Sequence, residues 1–106
     1  MSRKLPPKKL PPMHPGEVLR EEFLVPLQMS AGMLAKVCGI PRTRIKRLAN
    51  EETGVTADTA LRLGKALGTS AQLWLNLQNA YDIRVAENEI GKDLAAITQV
   101  DGVAAA

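Results

Sequence analysis

From Pro15 onward the chain alternates apolar and polar residues with a helical period, broken at regular intervals by residues that cap or stop helices. Val18, Leu19, Phe23 and Leu27 share one side of a first predicted helix, while Glu17, Arg20 and Glu21 can face water. Pro15 suits a first helical position, and Pro26 ends or bends the helix around residues 25–28. Ser30 caps a second helix with Met33, Leu34, Val37 and Cys38 at i, i+3, i+4 spacing, and Gly39 stops it. Pro41 opens a third helix whose inward edge is Ile45, Leu48 and Ala49.

Asn50 to Val55, with Gly54, reads as a loop. Thr56 caps a fourth helix packed through Ala60, Leu61, Leu63, Gly64 and Leu67, and Gly68 ends it. Ser70 caps a longer fifth helix reaching about Ile90. That helix carries two apolar stripes: Leu73, Trp74, Leu77, Ala80 and Tyr81 on one side, Leu75, Ile83, Ala86 and Ile90 on another. One stripe suits the domain's core. A single small domain has no second core, so Leu75, Ile83, Ala86 and Ile90 are expected at a homodimer interface. With no strand pattern, the fold class is all-α, five helices over residues 13–90, preceded by an arm (1–12) and followed by a tail (91–106).

Composition narrows the chemistry. The 106 residues allow one domain, and with one Phe, one Trp and one Tyr the core is aliphatic. The single cysteine, Cys38, and single histidine, His14, supply neither a disulfide nor a metal-ligand set, so no metal and no cofactor are expected. His14 reads as structural at the entrance of the first helix, and Cys38 as a small core residue. Glu17, Glu21 and Glu22 read as the wet face of an amphipathic helix, and no enzyme is indicated. No apolar run is long enough to span a membrane, and the basic N-terminus lacks the apolar stretch of a secretory signal; a cytoplasmic setting is expected.

The net charge of +3 conceals a strong asymmetry. Residues 1–13 hold four bases and no acid, residues 30–50 hold five bases and no acid, and residues 51–106 hold four bases against eight acids. The segment 30–50 has the design of a helix-turn-helix: small Ala35 where two helices cross, Gly39 at the turn, and Ile45 and Leu48 anchoring the second helix. With those two inward, Thr43, Lys46, Arg47 and Asn50 point outward, flanked by Arg42 and Arg44. Arg42, Thr43, Lys46, Arg47 and Asn50 are therefore candidates for reading base edges in a major groove, where arginine can donate twice to guanine. Ser30 at the amide end of the second helix, Lys36 and Arg44 are candidates for phosphate. Two such helices related by a two-fold axis would enter successive major grooves about 34 Å apart on a palindromic operator. Glu51 and Glu52 place acids in a loop beside this surface, where they oppose phosphate.

Three blocks then resemble one family. Residues 13–24 (MHPGEVLREEFL), 56–63 (TADTALRL) and 67–78 (LGTSAQLWLNLQ) are similar, in sequence and spacing, to HigA/VapI-type antitoxins of the XRE (Cro/cI-like) helix-turn-helix class. The resemblance covers about residues 13–90 and leaves the proline-rich basic arm outside it. It implies a bacterial antitoxin that dimerises, represses its own operon and neutralises a HigB/RelE-like mRNA-cleaving toxin. A stand-alone regulator of the same class, or an interaction module that no longer binds DNA, are the alternatives at this point. A toxin-like reading frame beside the gene separates the first, and the salt dependence of DNA binding separates the second.

Overall fold

The computed structural model describes residues 12–103 and, among them, holds helices and turns with no strand. Helix α1 starts at Pro15–Val18 and runs directly into a π-helical stretch, Leu19–Leu24; α2 is Ala31–Cys38, α3 Arg42–Ala49, α4 Ala57–Leu67 and α5 Ala71–Ala95. All but Pro12 of the expected arm lies outside the described residues.

The start and stop signals act where the pattern places them. His14 caps α1 through its ring, Nδ1 accepting the Gly16 amide at 2.9 Å, and the ring meets Tyr81 of α5 edge to face with centroids 4.8 Å apart. Ser30, Thr56 and Ser70 accept the amides of Met33, Thr59 and Leu73. Gly39 (φ 71°) ends α2 in the left-handed region that a side chain resists. Pro41 stands one residue earlier than expected, as the N-cap of α3, where it supplies no side-chain hydrogen bond.

The π-helical stretch changes the register of α1. Pro26 has no N–H to give to Glu22, and the chain widens instead, Val25 donating to the Arg20 carbonyl five residues back; past the helix, Met29 returns to the Leu24 carbonyl across Gln28 at a positive φ of 53° and closes its end. The wider turn brings Leu19 and Leu24, both buried, onto the same inner face. Leu27, expected inward, is 56% exposed.

Leu19, Leu34, Ile45, Leu48, Leu63 and Trp74 form a fully buried centre, with Ala35 and Ala60 where helices need close approach. Burial of each large aliphatic contributes ~1.5–3 kcal/mol. Trp74 donates its indole N–H to the Thr69 hydroxyl at 2.8 Å, and Phe23 tilts against its ring at 5.5 Å. Burial of Cys38 raises its thiol's pKa. The helical wheel overstates the inner faces of α2 and α4: Met33, Val37 and Leu61 are exposed, because no neighbouring helix covers that side.

Helix α5 lies on the core only along its first half. Trp74 is buried, Leu75, Leu77 and Tyr81 are half-buried, and Leu73 and Ala80 face outward. From 86 to 103 every residue is exposed, and the helix departs from helical geometry at Ile90 (φ −114°, ψ 21°) before continuing.

Candidate nucleic-acid interface

Helix α3 presents the division that its sequence predicts. Ile45, Leu48 and Ala49 are buried, whereas Arg42, Thr43, Arg44, Lys46, Arg47 and Asn50 are exposed. Gly39 and Ile40 turn the chain between α2 and α3, and the amide of Ile40 returns to the Ala35 carbonyl at 3.1 Å.

The far end of α3 is held by α1. Arg20 donates through Nη1 to the Ala49 carbonyl at 2.5 Å and through Nη2 to Glu51 at 3.2 Å. Glu51 itself adopts a positive φ of 63° as the chain leaves the helix. Gly16 lies so close to α3 that a Cβ there would meet the Leu48 carbonyl oxygen at 1.8 Å. The acid at 51 therefore serves this junction, paired with Arg20, in addition to lying beside the basic face.

The candidate residues separate into groups. Arg42 lies over the start of α2, its Cδ 3.5 Å from where a Gly32 Cβ would stand, which brings it toward Ser30. The Ser30 hydroxyl accepts the Met33 amide, so its side chain serves as a cap, while the first amides of α2 have no acceptor within the helix. Lys36 is exposed on α2. Arg44 lies on the α4 side, with Nη1 2.8 Å from Asp58 Oδ1. Arg47 approaches Glu52 at 3.7 Å, a looser pairing.

Sequence reasoning placed Glu51 and Glu52 beside this surface but missed the pairing of Asp58 with Arg44 and the arginine behind it, Arg62. Asp58 Oδ1 also accepts from Arg62 Nε at 2.8 Å, and Arg62 Nη1 donates to the Cys38 carbonyl at 2.7 Å. The i, i+4 spacing of Asp58 and Arg62 on α4 is a legible signal; the approach of Arg44, 14 residues away in sequence, is not. Between α3 and the start of α4 these groups border a cleft of about 480 Å³, lined by Thr43, Arg44, Arg47, Thr53, Thr56 and Asp58. The loop wall is fixed from α5: Gln78 Oε1 accepts the Val55 amide at 2.6 Å while its amide nitrogen donates to Asp82. Gly54 leaves room for that side chain, since a Cβ there would be 2.9 Å from Gln78 Oε1.

On the outer side of α5, Ile83 is 59% and Ile90 43% exposed, with Ala86 between them; past Ile90, Leu94 on the helix and Ile97 beyond its end are exposed as well. Leu75, from the same expected set, is half-buried against the core.

Two short helices across a glycine turn, the second exposing its bases, define a helix-turn-helix module, and residues 19–74 match the family model described as helix-turn-helix. The chain is 49% identical over 81 residues to virulence-associated protein I of Dichelobacter nodosus, covering 76% of this chain and 75% of that one. An addiction module antidote protein of a HigA family from Coxiella burnetii superposes with a TM-score of 0.80 at 46% identity, covering 86% of this chain and 100% of that one. Pseudomonas aeruginosa antitoxin HigA, solved with the higBA promoter, superposes with a TM-score of 0.80 at 38% identity, covering 84% and 98%. The chain belongs to the HigA/VapI-type antitoxins of the XRE helix-turn-helix family.

Proposed function

We propose that the chain is a homodimeric, sequence-specific DNA-binding repressor of its own operon and the antitoxin of a HigB/RelE-like mRNA-cleaving toxin, acting in the cytoplasm. The observation that carries the DNA reading is the partition of α3, with its aliphatic residues buried and Arg42, Thr43, Lys46, Arg47 and Asn50 exposed along one side. These five read base edges: the arginines donate in pairs to guanine, and Thr43 offers a hydroxyl and a methyl. The amide end of α2 at Ser30, together with Lys36, holds phosphate and sets the register; Arg44 stands at the edge of this surface. Pseudomonas aeruginosa antitoxin HigA, of the same fold, has been solved with promoter DNA, which supports the same use here. Ile83, Ala86 and Ile90, with Leu75 at their margin, form the two-fold contact that spaces the recognition helices by about one turn of DNA.

Footprinting on the region upstream of the chain's own gene tests the repressor reading. Two symmetric protected half-sites about one helical turn apart are expected, with binding that weakens steeply as salt rises. Absence of symmetric protection would overturn it. Co-purification with the product of the adjacent gene tests the antitoxin reading, the expected result being a stable complex that no longer cleaves mRNA.

A further inference from the structure

The basic face of α3 carries less free charge than its sequence suggests. Arg44 is held by Asp58 at 2.8 Å, and the same carboxylate oxygen is bound by Arg62, which in turn reaches the last carbonyls of α2, Cys38 at 2.7 Å and Gly39 at 3.5 Å. Three elements, α2, α3 and α4, thus meet through Asp58 and Arg62 at the margin of the DNA-facing cleft. An acid placed beside a polyanion-binding surface weakens binding unless it does something else. Asp58 does two things here: it neutralises Arg44, and it ties the flank of α3 to the C-terminus of α2.

We propose that Asp58 is a specificity-determining residue, whose carboxylate pairs with Arg44 at the protein surface so that a non-cognate duplex meets one effective cation fewer than α3 carries. The inference rests on the DNA-binding reading above. Binding to arbitrary sequence comes from phosphate neutralisation alone, so it feels the loss of a cation in full. Were a phosphate to take Arg44, Asp58 would remain within a few ångströms of it, and the repulsion would cancel most of the attraction. Cognate binding draws in addition on base contacts from the outward residues of α3, which need that helix held in a defined orientation. The Arg44–Asp58–Arg62 chain contributes to that orientation. Asp58 therefore lowers the phosphate attraction for any duplex through Arg44, and on the cognate duplex alone it returns affinity by holding α3 for base readout.

The test measures fluorescence anisotropy of the full-length protein on two duplexes, one of scrambled sequence and one carrying the region upstream of its own gene, across a salt series. Asp58→Asn retains an oxygen for the Arg62 N–H and removes the charge. On scrambled DNA its log–log salt slope should steepen by about 0.9, so its advantage over wild type should shrink about 3.5-fold between 50 and 200 mM salt. Affinity for scrambled DNA should rise several-fold and the ratio of specific to scrambled affinity should fall. Arg44→Gln should be nearly silent on scrambled DNA in the wild-type background and should abolish the gain in the Asp58→Asn background. Asp58→Ser, a short first-turn acceptor, should act in the same direction and guards against a folding defect of one variant. Unchanged or weaker scrambled binding by both Asp58 variants overturns the proposal, as does an unaltered specificity ratio or a gain that survives Arg44→Gln. Wild-type protein that binds neither duplex would instead sink the DNA reading itself.

Discussion

Replacing Gly16 by alanine adds one methyl group where α1 crosses the end of α3. The new Cβ would stand 1.8 Å from the Leu48 carbonyl oxygen and 3.0 Å from His14 Nδ1. An unstrained C···O contact needs about 3.3 Å, so the two backbones must separate by roughly 1.5 Å. Neither neighbour can rotate away, because one is main chain and the other is the ring that caps α1. Separation would also loosen the Arg20 bond to Ala49 and the seal over Leu19 and Leu48. Overpacking of this kind sits at the upper end of the usual range, ~3 kcal/mol. Alanine's better helix propensity returns about 1 kcal/mol, leaving a net loss of ~2 kcal/mol. For a domain of this size that lowers Tm by roughly 8–16 °C. Thermal melting followed by circular dichroism reads it directly. Gly32→Ala is the internal control: its Cβ would make ordinary contacts, 3.5 Å to the flexible Arg42 stem and 3.8 Å to the Ser30 hydroxyl, so this variant should melt at or slightly above wild type. A Gly16→Ala protein that melts as high as Gly32→Ala would refute the close approach of α1 to α3.

Three further outcomes are expected. Arg42→Ala and Arg47→Ala should each cost ~1–3 kcal/mol on the cognate operator and relax base preference at one position; equal losses on scrambled DNA would demote either to a phosphate contact. Ile83→Asp combined with Ile90→Asp should give monomers in sedimentation, because two carboxylates would replace the exposed apolar stripe of α5; an unchanged dimer mass would exclude that face. Asp58 has its pKa lowered, first by the Arg62 hydrogen bond and then by Arg44. Its stabilisation is therefore complete above the unfolded carboxylate value of about 3.9 and is lost as pH falls through the lower folded value. The difference in Tm between wild type and Asp58→Asn should hold steady near neutrality and close below about pH 4; a gap that persists in strong acid would contradict the pairing.

Much of this architecture was legible residue by residue, because caps, glycine stops and helical periods act over a few positions. Ser30, Thr56 and Ser70 each bond an amide three residues on, and Gly39 and Gly68 close α2 and α4 with positive φ, as their residue types predict. The outward set on α3 follows from the same arithmetic once Ile45 and Leu48 are taken as inward. What periodicity could not supply was the extent of cover over each helix. Met33, Val37 and Leu61 occupy apolar positions that no neighbour reaches, and Leu27 is turned outward by a widened helix whose register depends on Pro26. The contacts that hold the surroundings of α3 are likewise non-local. Arg44 meets Asp58, Arg20 caps Ala49, and Gln78 holds Val55, each pair separated by 14 to 29 residues. Such pairings are decided by how whole helices cross, and a helix's own sequence fixes its inner stripe without saying which charged side chain from another helix will arrive beside it.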